Sequence, residues 1–146
     1  MSLTGHASDS NTGSLVLAQD WGIGGSGRDV YVIGDYLGDR RADFAVMRRS
    51  GFGTTAPNAT WWILENGGAG QVVTRQFGYG SSAPDEDLAV CGDYNGDGKQ
   101  DIAVYRQSVR TFYWLNSPGF DSFSAQQWGQ PNDLNVPLGI LHTFNR

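Results

Sequence analysis

The sequence predicts an all-β protein made of four-stranded antiparallel β-propeller blades. It holds two complete units flanked by partial-blade strands, and the ring is expected to be completed by oligomerisation. Three observations predict this. The chain repeats itself, with Gly34-Asp35-Tyr36 recurring as Gly92-Asp93-Tyr94 and Ala42 to Arg48 recurring as Gln100 to Arg106, both at an offset of 58 residues. The apolar runs are short, rich in Val, Ile and aromatics, and bounded by Gly, Asn, Asp or Pro, which is how strands read. No longer window carries the 3.6-residue period of an amphipathic helix.

Four segments make up the repeating unit. Segment A is the apolar run Val30 to Ile33, matched by Leu88 to Cys91 and by Val136 to Leu138. Segment B is Phe44 to Arg48, matched by Ile102 to Arg106. Segment C is the aromatic run Thr60 to Asn66, matched by Thr111 to Ser117. Segment D closes on an aromatic residue and glycine, at Trp21-Gly22, Phe77-Gly78 and Trp128-Gly129. The order is therefore D, A-B-C-D, A-B-C-D, A. Four-stranded units of about 50 residues are the size of a propeller blade. A compact β-sandwich of two related sheets is the competing architecture.

The resulting division is as follows. Residues 1–12 form an N-terminal extension, and 13–33 hold the orphan D strand, a linker and the first A strand. Residues 34–91 are the first blade unit, with a loop insertion at 51–59. Residues 92–139 are the second unit and 140–146 a C-terminal tail.

Composition narrows the function. The 146 residues carry 10 Lys and Arg against 15 Asp and Glu, a net charge of -5. A net negative surface does not attract nucleic acid or an anionic membrane. No apolar run is long enough to span a bilayer, so no membrane insertion is expected. The opening Met1-Ser2-Leu3-Thr4-Gly5 has no basic region and no apolar core and does not read as a signal peptide. Cys91 is the only cysteine and the two histidines, His6 and His142, lie near the ends, which leaves no material for a disulfide or a His-rich zinc centre. No nucleophile elbow, zinc-protease motif or phosphate loop occurs, so the chain is not expected to be an enzyme. Asp85-Glu86-Asp87 reads as a solvated acidic turn, and Cys91 as a small buried hydrophobe.

The segment Asp93-Tyr94-Asn95-Gly96-Asp97-Gly98-Lys99-Gln100-Asp101 carries the chemistry. Oxygen-bearing side chains stand at positions 1, 3, 5 and 9 of this loop. Calcium takes six to eight hard oxygen ligands in flexible geometry. Asp93, Asn95, Asp97 and Asp101 supply such oxygens, the Lys99 carbonyl supplies another, and Gly98 permits the left-handed turn. The alternative is an Asx/Gly turn whose carboxylates cap backbone amides without metal. The earlier copy keeps Asp35, Asp39 and Asp43. It has Leu37 at position 3 and Arg40 at position 6, where left-handed geometry would cost about 1 kcal/mol. That loop binds calcium weakly, or Arg40 or Arg41 pairs with its carboxylates instead.

Asp93 to Asp101 followed by Ile102-Ala103-Val104-Tyr105-Arg106 resembles the FG-GAP/VCBS repeat, the blade unit of integrin α-subunit propellers and of many secreted bacterial proteins. The resemblance spans about residues 13–139 and is strongest in the second unit. It implies propellers usually of seven blades, with calcium held structurally in the loops. It also implies the metal ligands: Asp93, Asn95, Asp97, the Lys99 carbonyl and Asp101, and in the first loop Asp35, Asp39, the Arg41 carbonyl and Asp43.

The tryptophans raise a binding function. Trp21 and Trp128 recur in phase with Phe77 and read as packing between blades. Adjacent strand residues face opposite sides, so one of Trp61 and Trp62, and one of Tyr113 and Trp114, is expected on an outer surface able to stack on sugar or form a protein interface. The expected function is a calcium-stabilised propeller module binding a protein or glycan outside the cell, secreted or at the cell surface. The alternatives are a self-assembling structural fragment, in which copies of the chain complete a ring, and an accessory segment of a larger secreted enzyme.

Overall fold

The structure is a computed structural model of the chain. It describes residues 6–8, 15–17, 29–49, 58–67, 70–80, 87–131 and 133. Ten strands and no helix occur among these residues. A hairpin comes first, β1 (His6–Ser8) paired antiparallel with β2 (Leu15–Leu17). The first four-stranded sheet follows, with β3 (Asp29–Gly34), β4 (Asp43–Arg48), β5 (Asn58–Leu64) and β6 (Val72–Tyr79) side by side in chain order. The second sheet repeats it with β7 (Asp87–Ala89), β8 (Ile102–Arg106), β9 (Thr111–Leu115) and β10 (Phe123–Gln127). Every neighbouring pair is antiparallel.

Segments A, B, C and D of both units are thus adjacent strands of two up-and-down sheets. The registers repeat as well. Ile33 pairs with Phe44 and Gly34 with Asp43 in the first sheet; Ala89 pairs with Val104 and Gly92 bridges to Asp101 in the second. The burial of each strand follows its place. The central strand β4 is buried on both faces from Ala45 to Arg48, whereas β6, on the edge, alternates between exposed and half-buried residues.

Two boundaries differ from the sequence expectation. The N-terminal extension at 1–12 contains β1, because three residues without a strong β pattern find a pairing partner in the orphan D strand. The insertion expected at 51–59 ends earlier, since Asn58 and Ala59 open β5 and a register shift lets Asn58 pair with Tyr79. The third A segment, Val136 to Leu138, lies outside the described residues, as do Trp21 and residues 51–57.

One apolar core joins the two sheets. Tyr36, Ala45, Met47, Ala59, Trp61 and Ile63 of the first pack with Ile102, Val104 and Phe120 of the second. The contributing faces differ. Ala45 and Met47 of β4 meet a second sheet that presents Ile102 and Val104, the residues corresponding to Phe44 and Val46 at the 58-residue offset. The edge-to-face contact of Phe77 with Phe123, centroids 6.1 Å apart, extends this core outward. The opposite face of the second sheet has its own cluster of Val90, Ala103 and Tyr105, flanked by Phe112 and Trp114. Residues alternating along one strand therefore serve two different layers, as the two-residue period requires.

Candidate functional site

The two acidic loops stand at the same end of their sheets and touch. The Gln100 amide donates to the Asp35 carbonyl at 2.7 Å. A Cβ on Gly38 would meet the end of the Lys99 side chain, which places that side chain against the first loop.

In the loop 93–101, Asp93 is the hub. Its Oδ1 accepts from the amides of Gly96 (2.7 Å) and Asp97 (3.1 Å), and its Oδ2 from Gly98 (2.8 Å). Asn95 Oδ1 accepts from the Asp97 amide, and Asp97 Oδ1 from the Lys99 amide, both at 2.9 Å. Lys99 Nζ also lies 3.4 Å from Asp97 Oδ2. The Lys99 amide, aided by its ammonium, holds the Asp97 carboxyl below its ordinary value.

The loop 35–43 keeps this frame despite its substitutions. Asp35 accepts from the amides of Gly38 and Arg40, and Asp39 from that of Arg41. Arg40 adopts the left-handed conformation, with φ 67° against 84° at Gly98. The side chain of Arg41 bonds to the Gly67 carbonyl at 3.2 Å and makes no ion pair with the loop's acids.

Asp101 and Asp43 are set apart from the rest because both are fully buried. Asp101 Oδ2 accepts from the Tyr94 amide and Oδ1 from the Ser117 amide. Asp43 Oδ2 accepts from the amides of Tyr36 and Leu37, and Oδ1 from that of Asn66. Each ties its acidic loop to the turn between the third and fourth strands of its own sheet. Burial raises the Asp43 carboxyl above its ordinary value, against the pull of the three amides.

The side-chain ligands expected in the two loops, Asp93, Asn95, Asp97 and Asp101 in one and Asp35, Asp39 and Asp43 in the other, each hold backbone amides. Among the described residues, no group of three or more His, Cys, Asp or Glu side chains stands close enough to hold a metal ion. Asp93, Asn95 and Asp97 are exposed and keep lone pairs beyond those the amides use, so their donor chemistry still fits a hard cation.

The four aromatic candidates are not gathered into one surface. Trp61 is fully buried and donates through Nε1 to the Phe77 carbonyl at 2.9 Å. Trp62 is half-buried beneath the Arg48 guanidinium, 4.5 Å from its ring. Tyr113 packs into the inter-sheet core beside Phe123. Trp114 stacks on Tyr94 with centroids 5.1 Å apart. Trp128, expected in the core, is instead 75% exposed, because its partner face is not supplied by a described strand as Phe123 is for Phe77.

Sequence reading also missed a pair of buried ion pairs. Arg48 meets Asp29 in two bonds of 2.7 and 2.8 Å, and Arg106 meets Asp87 in two of 2.8 Å. Asp87 is fully buried, which overturns its reading as part of a solvated turn. It also accepts from the Tyr79 amide, and Arg106 lies 3.6 Å over the Tyr79 ring, so the pair joins the two sheets. The 58-residue spacing of both the acids and the arginines was the available signal. Cys91 is packed against the core, with its thiol 3.9 Å from the Ala103 carbonyl. Burial pushes its thiol up to about 11, leaving it protonated and unreactive.

No family model matches this chain, and neither a curated protein nor a solved structure matches it.

Proposed function

We propose that the chain is a calcium-stabilised β-propeller repeat module that binds a protein or a glycan outside the cell, each four-stranded sheet being one blade. The observation that carries this reading is the common frame of the two acidic loops. Position 1 holds the turn and position 9 anchors it in both, while the exposed oxygens at positions 3 and 5 are complete only in the loop 93–101. Asp93, Asn95 and Asp97 would hold calcium there, with Asp101 and the Lys99 carbonyl completing the donors. The ion would supply positive charge among acidic oxygens that otherwise repel one another. Calcium-rich fluid outside cells fills such loops readily, which supports a secreted or surface location.

Calorimetric titration with calcium, and melting with calcium or chelator, tests the reading. A site filled to a hundred times its Kd stabilises by about 2.7 kcal/mol, on the order of 10 °C in a chain of this size. Asp97→Asn should remove most of that shift. It is the right substitution because Asp97 is exposed, whereas Asp101 is part of the core. No heat of binding and no shift would overturn the calcium claim.

Self-assembly is the second reading, and Tyr31 and Ile33 favour it. They are 54% and 65% exposed, whereas Ala89 and Cys91 at the same places in the second sheet pack against the inter-sheet core. A copy of the chain seated on the first sheet would cover them. Light scattering that finds only monomer at micromolar concentration would count against it.

A further inference from the structure

The second sheet ends in an open cleft of about 450 Å³, lined by Arg110, Gln127, Trp128, Gly129, Gln130 and Asp133. We propose that this cleft is a sugar-binding subsite, taking one pyranose ring of a glycan against the Trp128 indole with Arg110 and Asp133 bonding its hydroxyls. The proposal rests on the reading of the chain as a binding module, but not on calcium. The cleft lies beyond the last residues of β8 and β10, at the opposite end of the strands from the acidic loops.

Two tied turns frame the cleft. The Trp128 amide donates to the Arg110 carbonyl at 2.9 Å and Gln127 Nε2 to the Val109 carbonyl at 3.2 Å, which fixes the end of β10 to the turn between β8 and β9. On the other side the Gln130 amide donates to Asp133 Oδ2 at 2.7 Å, and the Asp133 amide returns to the Gln130 carbonyl. The platform is thus held before any ligand arrives, which spares the cost of ordering it on binding.

Of the groups that face a ligand, Trp128 and Arg110 are uncommitted, while Asp133 already accepts the Gln130 amide through Oδ2. Trp128 is 75% exposed, and the Arg110 guanidinium has neither hydrogen bond nor ion pair among the described residues. An indole offers a rigid apolar face with a polar edge, suited to the C–H face of a sugar ring. A guanidinium donates to hydroxyl and ring oxygens, and a carboxylate accepts from hydroxyls, so together they read neighbouring hydroxyls in both directions. The volume falls in the range of small-ligand sites. The corresponding stretch of the first sheet differs at two described positions. Phe77 is closed over by Phe123, and Tyr79 lies against Arg106 where the second sheet has Gln130.

The test is a titration of the full chain with the methyl glycosides of glucose, galactose, mannose and fucose, followed by NMR at the indole N–H signals. Trp128→Phe identifies the signal that belongs to Trp128. The expected result is a saturating shift of that signal by at least one glycoside, equal in calcium and in chelator. Trp128→Ala should weaken binding roughly 30-fold, the loss typical of an anchoring aromatic. Arg110→Asn should also weaken it, with the left-handed backbone of residue 110 (φ 53°) retained because asparagine tolerates it. Silence at Trp128 with all four glycosides, or unchanged affinity in Trp128→Ala, overturns the subsite. So does sedimentation showing that Trp128→Ala dissociates a native oligomer without any sugar response, which would make Trp128 a protein contact. A calcium-dependent melting temperature beside a silent Trp128 would sink the subsite and leave the module reading standing.

Discussion

The buried carboxylate of Asp101 accepts the amide of Ser117 at 2.7 Å, across 16 residues of chain. Its other oxygen holds the Tyr94 amide, so one side chain fastens the acidic loop to the turn before β10. Asp43 fastens the first loop to Asn66 in the same way. Removing such a group strands buried or half-buried backbone donors. Asp101→Ala should cost roughly 2–5 kcal/mol, while Asp97→Asn in the same loop should cost well under that in the absence of calcium. Urea unfolding in chelator measures both. Equal losses would mean that Asp101 is no more structural than its exposed neighbour.

Asp87 and Arg106 form the second fastening, between sheets. Breaking one side of a buried pair leaves the other charged and unpaired, at about 3–5 kcal/mol. Asp87→Ala and Arg106→Ala should each destabilise by that order, and the double substitution by clearly less than the sum. A strictly additive double-mutant cycle would remove the ion pair from the account of how the sheets are held.

Arg40 occupies a left-handed position that its counterpart Gly98 occupies without strain. Arg40→Gly should stabilise by up to about 1 kcal/mol, reduced by the greater freedom of glycine in the unfolded chain. Gly98→Ala should destabilise by about the same amount. Thermal melts of the two variants should move in opposite directions.

Asp43 and Asp97 should titrate on opposite sides of the ordinary value of 3.8. Burial, the leading cause at Asp43, raises its folded value, so the folded state binds more protons than the unfolded one between the two values. Stability linked to Asp43 therefore rises as pH falls through that window. At Asp97 the folded value is lowered, first by the Lys99 amide. Its contribution is present above the unfolded value and is lost as pH falls through the folded one. Carboxyl carbon shifts followed by NMR in calcium-free buffer should give Asp43 the higher midpoint; the reverse order would contradict the burial of Asp43.

Much of the fold was legible because a strand announces itself locally. Val30 to Ile33, Phe44 to Arg48 and Ile102 to Arg106 are β-branched and aromatic runs closed by turn residues, and their repetition set the order of pairing. The acidic loops were legible for the same reason, since Gly and Asp at fixed spacing describe a turn before any partner is known. Asp87 was not, because an Asp-Glu-Asp string has the composition of a solvated turn and only its partner Arg106 explains its burial. Which of the paired aromatics is covered was not legible for a related reason. The two-residue period says that Trp61 and Trp62 face apart, but not which side a second sheet covers.

By itself the sequence determined two copies of one four-stranded unit, all-β, each with an acidic turn between its first and second strands. These follow from interactions between residues near in the chain: backbone preference, alternation and turn chemistry. Only the tertiary structure decided that Asp43 and Asp101 lie in the core, that Arg48 and Arg106 neutralise buried acids, and that Trp61 is sealed while Trp128 stands open. Burial is a property of what arrives from elsewhere in the chain. The same residue type therefore becomes a strut where a second sheet covers it and a surface where none of the described strands does.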